Sequence, residues 1–316
     1  MRINFHRWLT LLAFVVGLGG AQTVGAPAPA GNPITSATPT PAPAPVVKAP
    51  APLRIAVDPH AAPLIFKTGE KYSGLEAEFA RGLGESLGRP VVFVEAAPTN
   101  LIPALLDDKA DFIMSGLSVT KLREVRVAFC DPYVRTGQVA LCRRGDLSIY
   151  ANNANLENLR AVVGVVTGSS GEVLAGSDFA FATRKSFPTL TDAVRALLDK
   201  NLDLIIADYP LALWQSAENE ATVAVVQTQL TQEFLAWAVR KDDDALRLAA
   251  NAYLAQLKKS GKLTELLRKW LPDVTDDAIA PTLPPATPQA PAPATTAPAA
   301  KPPTASAAPM SVPNNS

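Results

Sequence analysis

Two hydroxyl side chains and a guanidinium group lie close together in the segment Ser115-Gly-Leu-Ser-Val-Thr-Lys-Leu-Arg-Glu124. Ser118 and Thr120 directly precede a predicted helix, and Arg123 falls in its first turn. Hydroxyl groups and the free N–H groups of a helix start bind anions, and a guanidinium group binds a carboxylate through two parallel hydrogen bonds. The segment therefore predicts a carboxylate-binding site. The plainer interpretation is that the hydroxyls only cap the helix and that Arg123 is solvated.

Two later segments carry groups of matching chemistry. Val166-Thr-Gly-Ser-Ser-Gly-Glu172 follows a predicted strand and precedes a short helix, so Ser169 and Ser170 form a second candidate anion site. Asp208 ends another apolar strand, where a carboxylate that faces a cleft would bind an ammonium group. The plainer alternatives are an ordinary Gly-Ser connection and a carboxylate that caps the helix beginning at Tyr209.

The hydrophobic pattern predicts the elements that position these segments. A first unit is predicted to contain strands at 53–57, 91–94 and 111–115 and helices at 75–87 and 99–107. A second unit is predicted to contain strands at 162–166, 179–183 and 204–207 and a helix at 189–200. A strand at 234–239 and helices at 242–259 and 262–270 follow. Alternating strands and helices favour parallel sheets, and ligand groups then gather at the carboxyl ends of the strands, in a cleft between two lobes.

The two ends of the chain differ from the middle in composition. A basic start, an apolar run at 8–18 and small residues at 19–21 predict a signal peptide over residues 1–21 and export of the protein. Most of the 29 prolines lie at 22–52 and 273–316, where they alternate with Ala, Thr and Ser. This composition predicts a disordered linker and a disordered tail. No cysteine lies near the predicted cleavage point, so a lipid anchor is not expected.

Charge and rare residues exclude several classes of function. The net charge is zero and both signs are interspersed, which gives no indication of a nucleic-acid or lipid partner. Only His6, His60, Cys130 and Cys142 offer soft metal ligands, so neither a metal site nor a cofactor is predicted. The two cysteines form a disulfide or remain as buried thiols, and both alternatives stay open. The absence of a nucleophile elbow, a Walker loop and a dinucleotide fingerprint disfavours the common hydrolases, ATPases and dehydrogenases.

In combination and order, the motifs resemble the family 3 extracellular solute-binding proteins, which have the type II periplasmic binding fold. The resemblance covers about 53–270 and rests on Val57-Asp58-Pro59, Gly74-Leu-Glu-Ala-Glu-Phe79, Gly116-Leu-Ser-Val-Thr-x-x-Arg-Glu124 and Phe129-Cys-Asp-Pro-Tyr133. It implies an α/β fold of two lobes with a ligand cleft and two hinge crossings. Lobe 1 would comprise residues 53–137 and 238–272, and lobe 2 would comprise residues 138–237.

The resemblance also implies roles for single residues. The α-carboxylate of an amino acid would be bound at Ser118, Arg123, Ser169 and Ser170, and its α-ammonium group at Asp208 and the carbonyl of Gly116. Asp58 matches a position that contacts cationic ligand side chains in some members, whereas Lys67 and Lys121 would favour an acidic side chain. Ala61 and Leu64 stand where aromatic residues are common, so we expect a pocket with fewer aromatic walls.

The expected function is that of a monomeric, non-catalytic periplasmic protein that captures a polar amino acid or similar zwitterion for the permease of an ABC importer. Two alternatives remain. The chain also resembles the solute-binding, regulatory half of membrane-bound lytic transglycosylases, which would make it a sensory module. It resembles cyclohexadienyl dehydratases as well, but the extra catalytic carboxylate expected shortly after Asp208 is met only by Tyr209, Pro210 and Leu211.

Overall fold

The computed structural model describes residues 50–151, 156, 158 and 160–281. The predicted signal peptide and most of the Pro/Ala-rich linker and tail lie outside these residues. Within the described residues, no helix combines the length and the apolar character needed to cross a membrane.

Strands and helices alternate through most of the described chain. The strands are β1 (Leu53–Val57), β2 (His60–Ala61), β3 (Ile65–Thr68), β4 (Lys71–Ser73), β5 (Val91–Glu95), β6 (Phe112–Ile113), β7 (Ala128–Phe129), β8 (Val134–Thr136), β9 (Gln138–Arg143), β10 (Val162–Val166), β11 (Thr183–Phe187), β12 (Leu204–Asp208), β13 (Val223–Val226), β14 (Glu233–Leu235) and β15 (Ala238–Val239). The α-helices are α1 (Leu75–Leu87), α2 (Leu101–Leu106), α3 (Lys121–Glu124), α4 (Leu147–Tyr150), α5 (Ser170–Ser177), α6 (Leu190–Leu198), α7 (Tyr209–Glu218), α8 (Asp244–Lys259) and α9 (Lys262–Trp270).

The first large sheet has the strand order β5-β1-β6-β15-β7. Strand β1 pairs in parallel with β5 and β6, as the alternation of strands and helices predicts. The predicted apolar face of α1 is confirmed, because Leu75, Phe79 and Leu83 are buried in one cluster with residues of β1, α8 and α9. Strand β15 returns antiparallel between β6 and β7, which closes this sheet with a distant part of the chain.

The second large sheet has the order β11-β10-β12-β9-β13 and is buried on both faces. Its central strands are continuously apolar because neither face contacts water. The prediction of a strand at 179–183 is wrong: the strand is Thr183–Phe187. This strand lies at the sheet edge with mostly exposed, polar side chains, so it lacks the apolar signal, whereas the buried Phe179 belongs to a turn before it.

Two antiparallel strands, β8 and β14, connect the large sheets, with Val134 opposite Leu235. The chain leaves the first sheet through β8 and returns to it through β14. This confirms the α/β fold of two lobes joined by two crossings. The predicted single strand at 234–239 is interrupted at Ala236 and Trp237, where the chain passes from the crossing pair into the first sheet.

The structure differs from the predicted tail at its beginning. Residues 273–281 pack on the crossing strand β8: Ile279 forms a β-bridge with Val134, and the N–H of Ala280 donates to the carbonyl of Tyr133 at 2.9 Å. Ala278 is buried and Val274 contacts the core. These apolar side chains give the segment a face to bury, which the Pro/Ala composition of the rest of the tail does not offer.

Cys130 and Cys142 are buried free thiols. Cys130 belongs to the core of the first lobe and Cys142 to one face of the second sheet. Burial raises the pKa of the Cys130 thiol to about 12 and that of Cys142 to about 11, so both act as small apolar side chains.

Candidate functional site

A cleft lies at the carboxyl ends of the parallel strands β1, β6, β10 and β12, between the two large sheets. It is lined by residues of both lobes, including Asp58, Ala61, Leu64, Leu101, Gly116, Leu117, Ser118, Arg123, Gly168, Ser169, Ser170, Asp208 and Leu211. The tertiary structure therefore brings all seven predicted site residues to one cleft, although they span 150 positions of the chain. Whether each of them contacts a ligand stays a prediction.

The guanidinium group of Arg123 bridges the lobes. Its Nη1 donates to the carbonyl of Ser118 at 2.9 Å, and its Nη2 donates to the carbonyl of Gly168 at 3.2 Å. Burial lowers the pKa of Arg123, while the carboxylates of Asp208 and Glu233 oppose this shift. Within the described residues, no carboxylate reaches ion-pair distance of this guanidinium. Arg123 is therefore not a solvated surface residue, and its charge is available to an anion in the cleft.

Thr120 and Ser169 follow the plainer interpretation. The Thr120 hydroxyl accepts the N–H of Arg123 at 3.3 Å and so caps α3. The Ser169 hydroxyl accepts the N–H of Glu172 at 3.1 Å and donates to the carbonyl of Val166 at 2.7 Å. The side chain of Ser169 thus holds its own loop, even though the residue lines the cleft.

Ser170 belongs to a polar network that runs behind the cleft. Its hydroxyl lies 3.4 Å from that of Ser118 on the other lobe and donates to Glu233 at 2.8 Å. The side-chain amide of Gln138 donates to both Ser170 and Asp208, at 2.9 Å each. Gln138 is fully buried at the start of β9, and its side-chain oxygen has no partner among the described residues.

Asp208 occupies the N-cap position of α7, but its side chain makes no capping hydrogen bond. The carboxylate instead accepts from Gln138 and lines the cleft. Burial raises the pKa of Asp208, and the carboxylate of Glu233 raises it further, whereas Arg123 and Gln138 oppose the rise. The helix-cap interpretation is therefore wrong for this side chain, and binding of an ammonium group at Asp208 stays a prediction.

Asp58 lies at another part of the cleft, with 15% of its side chain exposed. Its carboxylate accepts the N–H of His60 at 3.1 Å and lies 3.0 Å from Nδ1 of the same residue. Ala61 and Leu64 line the cleft nearby, so aliphatic groups do form this wall. Lys67 pairs with Glu95 and Lys121 with Glu124, and neither lysine lines the cleft.

Gly116 is held in place by Glu76, a buried residue at the start of α1. Its N–H donates to Oε1 of Glu76 at 2.9 Å, and its φ of +65° is one that glycine adopts readily. Glu76 is fully buried and also accepts from the Tyr133 hydroxyl at 2.7 Å and the indole N–H of Trp237 at 2.9 Å. Burial raises the pKa of Glu76 to about 7, and the three hydrogen bonds oppose the rise. Since Tyr133 precedes β8 and Trp237 follows β14, one carboxyl group ties the cleft loop to both crossings.

Sequence reasoning missed Gln138, Glu233 and Glu76 as site residues. Glu76 belongs to the Gly74–Phe79 motif, but an acidic residue in the first turn of a helix is usually a favourable dipole contact, so the motif gave it no role in the site. Glu233 stands among polar loop residues. Only Gln138 offered a hint, as a polar residue at the start of an apolar strand.

Comparison with known proteins agrees with this geometry. The model of the bacterial extracellular solute-binding proteins, family 3, matches residues 53–273. A probable histidine-binding protein of Campylobacter jejuni is 29% identical over 69% of this chain and 84% of the relative. A cyclohexadienyl dehydratase of Pseudomonas aeruginosa is 26% identical over 69% of this chain and 82% of that enzyme.

Among solved structures, a putative binding component of an ABC transporter from Wolinella succinogenes, complexed with lysine, is similar with a TM-score of 0.66. It is 29% identical and covers 70% of this chain and 96% of its own. The resemblance predicted from the motifs is thereby confirmed. Because the family model matches well over half of the sequence and the cleft joins two α/β lobes, the chain belongs to family 3 of the bacterial extracellular solute-binding proteins.

Proposed function

We propose that this protein is a non-catalytic periplasmic receptor that binds a polar amino acid, or a similar small zwitterion, between its lobes. It would be exported by its N-terminal signal peptide and deliver its ligand, as a monomer, to the permease of an ABC importer. The relatives that bind histidine or lysine support a ligand of this class.

The observation that carries the proposal is the arrangement of Arg123. A half-buried guanidinium that bonds to two carbonyl groups, and to no carboxylate among the described residues, keeps a positive charge without a neutralising partner. A ligand carboxylate would supply that partner through charge-assisted hydrogen bonds. Since the two carbonyls belong to different lobes, a ligand held there would also stabilise the closed arrangement.

Asp208 supports the other half of a zwitterion. Its carboxylate reaches the cleft, and burial beside Glu233 disfavours its charge until a cation arrives. Each hydrogen bond to a charged group contributes about 1.5 to 3 kcal/mol, and micromolar affinity corresponds to about 8 kcal/mol. A few such bonds at the two head groups therefore suffice for a receptor of ordinary affinity.

The test is isothermal titration calorimetry of the mature protein with L-histidine, L-lysine, L-arginine and L-glutamine. The first three probe the Asp58 side of the cleft, and the last is an uncharged polar control. We expect saturable binding of at least one amino acid, weakened about 100-fold or more by Arg123→Ala, because a buried charge pair is lost. Arg126→Ala removes an exposed arginine on the neighbouring turn and should leave the affinity unchanged. Failure of every amino acid to bind would refute the proposal.

An enzymatic function is the second candidate because one relative is a cyclohexadienyl dehydratase. The resemblance leads us to expect an additional carboxylate shortly after Asp208, but the residues there are Tyr209, Pro210 and Leu211, and Leu211 lines the cleft as an apolar group. We therefore expect no turnover of prephenate. Turnover that is abolished by Asp208→Asn would replace the receptor proposal with an enzymatic one.

A further inference from the structure

Glu233 lies on the crossing strand β14, outside the residues that line the cleft, yet both of its carboxylate oxygens point toward the network behind it. Oε2 accepts the Ser170 hydroxyl at 2.8 Å, and Oε1 accepts the Thr231 hydroxyl at 3.0 Å. The Thr231 oxygen in turn accepts the backbone N–H of Gln138 at 2.9 Å, so its proton points to Glu233. The position of this carboxylate is therefore determined by hydrogen bonds from two sides.

The partners decide which way each hydrogen bond runs. A carboxylate at Asp208 accepts only from the nitrogen of the Gln138 amide, and the same nitrogen lies 2.9 Å from Ser170. Ser170 therefore accepts from Gln138. An ionised Glu233 has no proton to give, so the single hydroxyl proton of Ser170 points to Glu233. The one remaining lone pair of Ser170 is then open to a donor from the cleft, on the side where the Ser118 hydroxyl lies 3.4 Å away.

We propose that Glu233 is a positioning residue that turns Ser170 into part of the ammonium site. This inference rests on the proposed function and reassigns Ser170, which the family resemblance places at the ligand carboxylate. Ser170 and Asp208 bond to the same nitrogen and are therefore neighbours, so one ligand ammonium with three N–H donors can reach both oxygens. The ligand carboxylate is left to Arg123 and to backbone N–H groups.

The charges around Asp208 agree with this assignment. Glu233 adds a second negative charge beside Asp208, and Arg123 is the positive group that acts on it. The site therefore selects for a ligand amine in two ways, through an acceptor that faces the cleft and through a surplus of negative charge. An analogue with a hydroxyl in place of the α-amino group has one donor hydrogen instead of three and no positive charge, so it satisfies the acceptors only in part and does not offset the negative charge.

The experiment compares the tightest-binding amino acid of the calorimetry panel with its 2-hydroxy acid analogue, in wild type and in Glu233→Gln. We expect the preference for the amino acid to fall about tenfold or more in the variant, which corresponds to the loss of one charge-assisted hydrogen bond. Ser170→Ala removes the lone pair itself and should lower the same preference. Because Glu233 acts largely through Ser170, adding Glu233→Gln to Ser170→Ala should have a smaller effect than it has alone.

Glu220→Gln is the matched control, since it makes the same chemical change at an exposed residue of the second lobe. It should leave the preference unchanged. A preference that Glu233→Gln alters by less than about twofold would overturn the proposal. If none of the amino acids binds, the proposed function is refuted, but the proposal for Glu233 can still be tested. The measurement is then an NMR titration of the Asp208 carboxyl group in the ligand-free protein. The pKa of Asp208 should then be lower in Glu233→Gln than in wild type and in Glu220→Gln, and equal values would overturn the proposal.

Discussion

Replacing Glu76 with Gln tests how much the ionisation of this buried carboxyl group lowers the free energy of unfolding. Glu76 is fully buried, and the two N–H groups and one hydroxyl that surround it all donate to its carboxylate. No cation neutralises it among the described residues that bond to it. The charged form is thus stabilised by hydrogen bonds but opposed by desolvation, and desolvation is the larger effect.

The magnitude follows from the pKa. Burial raises the pKa of Glu76 from 4.5 to about 7 in the folded protein. One pKa unit corresponds to about 1.4 kcal/mol, so the whole shift corresponds to about 3 kcal/mol. Because the folded state binds the proton more tightly than the unfolded state, the free energy of unfolding falls as the pH rises from 4.5 to about 7 and is unaffected by this group above that range.

The assay is urea unfolding followed by circular dichroism at about pH 5, 6, 7 and 8, for wild type and Glu76→Gln. The amide cannot ionise, so the wild type should lose up to about 3 kcal/mol relative to the variant between the lowest and the highest pH. Gln also turns an N–H₂ group toward one of the donors, which adds a constant loss of about 1 to 3 kcal/mol. The slope, not this offset, reports the charge.

Glu85→Gln provides the control, because Glu85 is exposed on the same helix. Its unfolding free energy should follow that of the wild type at every pH. Parallel curves for the wild type and Glu76→Gln would show that the carboxyl group titrates normally, and the reasoning from burial would then be refuted.

Three further predictions concern the cleft. Gly168→Ala should weaken ligand binding and leave the liganded protein more open in small-angle X-ray scattering, because the new Cβ would lie 2.8 Å from the side chain and 3.0 Å from the backbone nitrogen of Thr99 on the other lobe. The affinity of the wild type for its ligand should fall as the pH drops below neutrality, because the raised pKa of Asp208 means that its carboxylate is protonated at a higher pH than usual. Calorimetry of Asp208→Asn should show weak ligand binding that is nearly independent of pH. Ser169→Ala should cost about 1 kcal/mol of stability through the lost cap of α5 but change affinity less than Ser170→Ala does; equal losses of affinity would contradict the assignment of the two hydroxyls.

The elements with strong apolar periodicity were predictable. Helix α1 and strands β1, β10 and β12 carry patterns that few other structures satisfy, and they lie where the sequence places them. The edge strand β11 was predicted too early in the sequence, because its exposed side chains carry no apolar pattern. The 3₁₀ helix Asp276–Ala278 lies in the segment that the sequence predicts to be a disordered tail. Composition alone does not show which groove of the folded protein accepts an apolar side chain from that segment.

By itself, the sequence determined the chemistry of the site: a guanidinium, a carboxylate and several hydroxyls at the ends of apolar strands, in the order typical of one family. Only the tertiary structure decided which of those groups face the cleft. Ser169 and Ser170 are adjacent and identical in type, yet one caps a helix and the other donates to a half-buried carboxylate 63 positions away. Hydrogen-bond partners depend on distance in space and on the direction of each donor, and neither is encoded in the spacing of residues along the chain.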